Sequence, residues 1–123
     1  MVAAADGGRP GPTAGADRHH RDSDPRCAAA SCAVSLNRRT DYGPFDLVLV
    51  DNGTRDSDAL TLLEEAGADA KTAVLIDDRP FNFAALSNLG AAHATSNVVV
   101  FANNDIAFWD PKWLGELVRA LSV

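Results

Sequence analysis

Phe45-Asp46-Leu47-Val48-Leu49-Val50-Asp51-Asn52-Gly53-Thr54 is the stretch on which the fold turns. Six mostly apolar residues, rich in Val and Leu, run into Asp-Asn-Gly. A short apolar run closed by Asn-Gly reads as a buried strand with a sharp exit. Gly53 lets the chain leave at an angle that a side chain would resist. Downstream, Ser57 or Asp58 can cap a helix that runs through Ala66, with Leu60, Leu63 and Gly67 spaced along it. Ala73-Val74-Leu75-Ile76 is a second strand, closed by Asp77-Asp78-Arg79-Pro80. A helix is expected from about Asn82 to Ala94, with Ala85, Leu86, Leu89 and Ala92 as its apolar positions. Asn97 to Ala102 is the third strand, ended by Asn103-Asn104-Asp105. Asp110 then caps a last helix with Pro111 in its first turn and Leu114, Leu117, Val118 and Leu121 as its stripe.

Strand and helix alternate, which predicts an α/β fold: a parallel, Rossmann-like sheet flanked by helices. Ligands of such sheets bind at the carboxyl ends of the strands. Here those ends carry Asp51-Asn52-Gly53, Asp77-Asp78 and Asn103-Asn104-Asp105, all on one edge.

Upstream of this pattern the composition changes. From Ala3 to Ala33 there is no Val, Ile, Leu, Met or aromatic residue. Such a segment buries too little apolar area to offset its ordering entropy. Residues 1–26 are therefore expected to be disordered, or mistranslated, and 27–123 to form the domain. A run of four Asp and six Arg up to Thr40 gives that part a net +2, and the remainder, with five basic and thirteen acidic residues, a net −8.

The whole chain has 123 residues, 46% of them hydrophobic, and a net charge of −6. That length allows one small domain. The acidic balance argues against non-specific binding to nucleic acid or anionic lipid. Cys27 and Cys32 are too few for a disulfide scaffold and lack the partners of a zinc site, so they read as reduced thiols. No apolar run reaches membrane-spanning length, and the start lacks the apolar core of a secretory signal.

Several residues could carry chemistry. Asn103, Asn104 and Asp105 offer oxygen donors suited to Mg²⁺ or Mn²⁺, and equally make good turn chemistry. Asp51 can accept hydrogen bonds from a nucleobase or ribose, or simply end its strand. Asn82 is either an N-cap or a ligand contact. Asn88, six residues on, either points at the ligand cleft or faces water. His93 reads as a surface residue, and His19 and His20 have no metal spacing. Trp109 and Trp113 read as a staple and core pair rather than as a sugar-stacking platform. No phosphate-binding or catalytic-triad motif occurs.

Cys32-Ala33-Val34-Ser35-Leu36, Arg39-Thr40-Asp41-Tyr42, Phe45 to Thr54, Asp77 to Ala91, and Val99 to Ile106 with Pro111, Trp113 and Leu114 together resemble family-two glycosyltransferases, nearest to the rhamnosyl- and O-antigen-type members. The resemblance implies a GT-A fold, incomplete here. It implies a nucleotide-diphosphate sugar donor, a saccharide or lipid-linked saccharide acceptor, a divalent metal and inverting transfer in cell-surface polysaccharide synthesis. It implies a cytoplasmic protein, peripheral at the inner face of the plasma membrane. By the match, Asp51, Asn52 and Gly53 line the base side of the donor site, and Asp78, Asn82, Asn88 and Asn104 also belong to it. Asp105, with Asn103, would hold the metal. Asn103 replaces the first acidic residue of the family's D-x-D motif, which leaves the metal mainly to Asp105.

Two parts of that pattern are expected to be missing. One is the opening strand, whose place Arg18 to Arg26 takes, leaving an exposed sheet edge. A shift of one base turns His codons into Ile or Thr codons, so a displaced reading frame would account for it. The other is the catalytic base, which the family places beyond Val123. A truncated, non-catalytic remnant with weak or no nucleotide binding is thus the alternative reading. A haloacid-dehalogenase-like match to Val48–Thr54 fails because it puts Val50 and Asn52 where carboxylates are required. A doubly wound interaction domain without ligand is the remaining alternative.

Overall fold

The computed structural model describes residues 2–5, 36, 39–103, 106 and 108–121. Expectations for Cys27, Cys32, His19, His20, Arg18–Arg26, Asn104 and Asp105 lie outside these residues.

Four strands, β1 (Val2–Ala5), β2 (Phe45–Asp51), β3 (Thr72–Ile76) and β4 (Val98–Phe101), form one sheet in the order β3-β2-β1-β4. Among the described residues, the helices α1 (Ser57–Gly67), α2 (Phe83–His93) and α3 (Trp113–Leu121) alternate with them. β2 and β3 are parallel, with Leu47 opposite Thr72 and Asp51 opposite Ile76. The expected βαβα order is thus present, with strand bounds within a residue or two of those read from the sequence.

β1 departs from two expectations. Part of the segment read as disordered or mistranslated forms a strand, and that strand is antiparallel to both neighbours. Val2 sits between Val48 and Phe101, and Ala5 between Phe45 and Val98. The sheet is therefore mixed, and the slot expected to be an open edge beside β2 is filled over Phe45–Val48. The physical reason is that the backbone N–H and C=O groups of two facing strands need partners, and four small residues can supply them without a periodic signal.

Phe45, Leu47 and Leu49 share one face of β2 by their period of two. Leu47 and Leu49 are buried against Leu63 and Ala66 of α1, Val74 and Val100. Phe45 is buried against Leu114 and Val118 of α3, with Tyr42 and Trp113 beside them. Leu47 and Leu114 are the largest fully buried side chains. Burying each contributes about 1.5–3 kcal/mol. Val48, of opposite parity, is equally buried, and α2 runs along β2 and β1 to cover that face. The other half of the α3 stripe is wet: Leu117 and Leu121 are exposed.

The helix starts follow side-chain capping. Asp56, rather than Ser57 or Asp58, caps α1, its carboxylate accepting from the N–H groups of Asp58 and Ala59 at 3.1 and 3.0 Å. Asn82 caps α2 by accepting from the Ala85 N–H at 3.0 Å. Asp110 accepts from the Lys112 N–H at 2.9 Å, and α3 begins one residue later, at Trp113. Trp113 stacks on Phe108 with centroids 3.9 Å apart and donates from Nε1 to Thr40 Oγ1 at 3.1 Å. Trp109 does not pack as a staple: it is 93% exposed. Thr72, at the start of β3, is buried with its hydroxyl unpartnered among the described residues.

Candidate functional site: the carboxyl edge of the sheet

The tip of β2 folds back on itself. The half-buried Asp51 accepts at Oδ1 from the Thr54 N–H at 3.2 Å and from the Thr54 hydroxyl. This closes a small ring around Gly53, whose φ of +77° lies in the left-handed region. A side chain there meets no steric neighbour, so the cost of substitution is backbone strain alone. Thr54 holds one carboxylate oxygen, and among the described residues no donor reaches Oδ2, which leaves that oxygen to accept from a ligand.

The tip of β3 is tied to it. The Asp77 N–H donates to the Asp51 carbonyl at 2.8 Å, extending the parallel ladder by one bond. Asn52 then spans both loops: its Nδ2 donates to the carbonyls of Asp77 at 2.5 Å and Arg79 at 2.8 Å. Both N–H bonds of the amide are thus spent on backbone, so Asn52 braces the site rather than presenting donors to a ligand.

The next residues form an ion pair. The buried Asp77 carboxylate accepts from the Arg79 backbone N–H at 3.1 Å, from Nε at 2.8 Å and from Nη2 at 2.6 Å. The guanidinium bonds and the backbone N–H hold the Asp77 carboxyl down at about 2, against an ordinary value of 3.8, outweighing the opposing effect of desolvation. The same pairing raises the Arg79 pKa. Arg79 itself is 70% exposed at its side chain, while Asp77 is 6% exposed.

The expected donor-site residues fare unequally. Asp51, Asn52 and Gly53 are brought together with the β3 loop. Asp78 is exposed beside Asp77. Asn82 accepts at its side-chain oxygen from the Ala85 N–H and so caps α2, one of the two roles read for it. Asn88 is exposed on α2 and His93 is a surface residue, as read. Asn103 is exposed at the end of β4, its carbonyl 3.5 Å from the Ile106 N–H. Among the described residues, no group of three or more His, Cys, Asp or Glu gathers as a metal site. Those residues alone do not make one, and the set read from the sequence depends on Asp105.

Asp77 was placed on this edge by the sequence, but its pairing with Arg79 and the hold of Thr54 on Asp51 were not read from it. The signal for the pair is an Asp closing a strand with an Arg two residues on, a spacing that lets one side chain fold back on the other. A polar cleft of about 310 Å³ lies at the opposite, amino end of the strands, lined by Pro44, Phe45, Asp46, Thr95, Ser96 and Asn97. Position in the sheet favours the carboxyl edge over it.

The family model for glycosyl transferase family 2 matches residues 28–123. The chain belongs to that family. The family-2 domain is 38% identical over 84 residues to the O-antigen biosynthesis protein RfbC of Myxococcus xanthus, covering 68% of this chain and 6% of that protein. It is 40% identical over 85 residues to the uncharacterized protein y4gI of Sinorhizobium fredii (strain NBRC 101917 / NGR234), covering 68% of this chain and 9% of that one. The chain spans less than a tenth of the length of these curated relatives. No solved structure matches it. The family supports a glycosyltransferase role, and the mixed sheet flanked by helices is consistent with a partial GT-A domain. Among the described residues, no helix is long and apolar enough to cross a membrane.

Proposed function

We propose that this family-2 domain binds the nucleotide-diphosphate sugar of an inverting glycosyl transfer to a saccharide or lipid-linked saccharide acceptor, in cell-surface polysaccharide synthesis. The observation that carries the reading is the braced pair of loops at the carboxyl edge: the Asp51 carboxylate is held at Oδ1 by Thr54, and the β3 loop is fixed to the same tip by Asn52. A rigid carboxylate at a strand tip suits recognition of a base or ribose, because little ordering entropy remains to be lost on binding. Asp78, exposed on this edge, and Asn88, exposed on α2, are the flanking candidates.

Asp105, with Asn103 and Asn104, is the proposed holder of Mg²⁺ or Mn²⁺. Oxygen donors suit a hard cation, and such a cation neutralises diphosphate charge when bound. The likeness to an O-antigen biosynthesis protein supports the polysaccharide assignment; the proposed place of work is the cytoplasm, at the inner face of the plasma membrane.

Calorimetric titration of the chain with UDP, dTDP and GDP, with and without Mn²⁺, tests this. Metal-dependent binding of one nucleotide, lost in Asp105→Ala, is the expected result. A folded chain that binds none of the three under either condition contradicts it.

A further inference from the structure

Resting on the nucleotide-binding reading above, we infer that Arg79 is a preset cationic contact for the diphosphate of the ligand, with Asp77 and Asn52 as its positioning residues. Three observations lead there. First, the guanidinium is oriented: Nε and Nη2 are held by the two oxygens of the buried Asp77 carboxylate at 2.8 and 2.6 Å. Second, the side chain is nonetheless 70% exposed. Guanidinium has five N–H donors, and the two facing Asp77 leave the Nη1 edge turned away from it. Third, the backbone beneath is braced, because Asn52 bonds the Arg79 carbonyl at 2.8 Å and the Asp77 carbonyl at 2.5 Å. That brace places the arginine loop against the Asp51–Asn52 tip.

An ordinary surface arginine surrenders rotamer freedom when it grips a phosphate. Arg79 has already surrendered it to Asp77. Its planar fork matches a phosphate's oxygens in a way that a lysine ammonium does not. The need for such a contact follows from charge: the protein carries a net −6, and Asp51, Asp77 and Asp78 stand on this same edge. The ion pair is neutral as a unit, so Arg79 acts through directed hydrogen bonds to the diphosphate rather than through a long-range field.

The test is a titration followed by nuclear magnetic resonance in Mg²⁺ buffer, with UDP against uridine and dTDP against thymidine, on the full chain. The expected result is that Arg79→Gln weakens the diphosphates about tenfold, the effect of losing one charge-assisted hydrogen bond, and leaves the nucleosides within about twofold. Lys71→Gln, which removes a charge at the amino end of β3, changes neither. The Arg79 Nε–H resonance shifts with UDP and stays still with uridine. Arg79→Lys, which keeps the charge and guards against loss of fold, loses less than Arg79→Gln. Equal weakening of nucleoside and diphosphate would show a merely structural role and overturn the inference, as would no weakening at all. If the unsubstituted chain binds no nucleotide, the proposed function falls and this inference with it. If it binds and Arg79→Gln matches it, only this inference falls.

Discussion

Asn52→Ala removes the brace between the two loops, and the structure sets the size of the effect. The amide makes two bonds, at 2.5 and 2.8 Å, to carbonyls 25 and 27 residues away in sequence. A hydrogen bond within a protein contributes about 0.5–1.5 kcal/mol net. Because these loops are partly solvated, water recovers some of each carbonyl, and a loss of about 1–2 kcal/mol in unfolding free energy is expected. For a domain of this size that lowers Tm by several degrees. Asn52→Asp is expected to cost more, since it turns a donor into a charged acceptor facing two carbonyls. Urea unfolding at neutral pH, read by circular dichroism, measures both, with an unchanged slope as evidence that the same surface is exposed. If Asn52→Ala stays within about 0.3 kcal/mol of the parent chain, the loops are not braced by this residue and the reasoning is refuted.

Thr72→Val removes a buried hydroxyl that has no partner among the described residues, and should stabilise by about 1 kcal/mol in the same assay. Leu114→Ala, at a fully buried position beneath Phe45, should destabilise by about 2–5 kcal/mol, whereas Leu121→Ala on the exposed end of the same helix should change little. Asp77 has its folded-state pKa held near 2, below the 3.8 of an unpaired group, so its contribution is fully present above about pH 3.8 and fades as pH falls toward 2. Comparing the chain with Asp77→Asn across that window should show the stability difference shrinking as the solution is acidified. A difference that stays constant with pH would show that the Asp77–Arg79 pair is not formed.

The main architecture was legible because it rests on local signals. Phe45–Val50 and Ala73–Ile76 are short apolar runs closed by acidic turns, and both are strands. Asn82, one of whose two readings was an N-cap, caps α2, whereas Asp110 holds a turn with Pro111 and Lys112 and the last helix starts only at Trp113. β1 was not legible, because Ala3-Ala4-Ala5 has no strand propensity of its own and is held by backbone pairing to partners forty or more residues away. The cap of α1 moved to Asp56 because three adjacent residues, Asp56, Ser57 and Asp58, can all cap, and only packing of the helix face decides among them. The site was half legible. Asp51 was found from its place at a strand end, but the brace from Asn52 and the hold of Asp77 on Arg79 are contacts between loops that no periodicity encodes. Asn82 shows a residue type that serves two roles: its side-chain oxygen caps its own helix, as one of its two readings had it.

The measurement that bears most directly on the central claim is a map of the backbone amide resonances that move when the nucleotide is added in the presence of Mg²⁺. The account predicts that the shifts gather at Asp51–Thr54, Asp77–Asn82 and around Asn103, along the carboxyl edge of the sheet. Shifts confined to Phe45–Asp46 and Thr95–Asn97, at the opposite end of the strands, would contradict it.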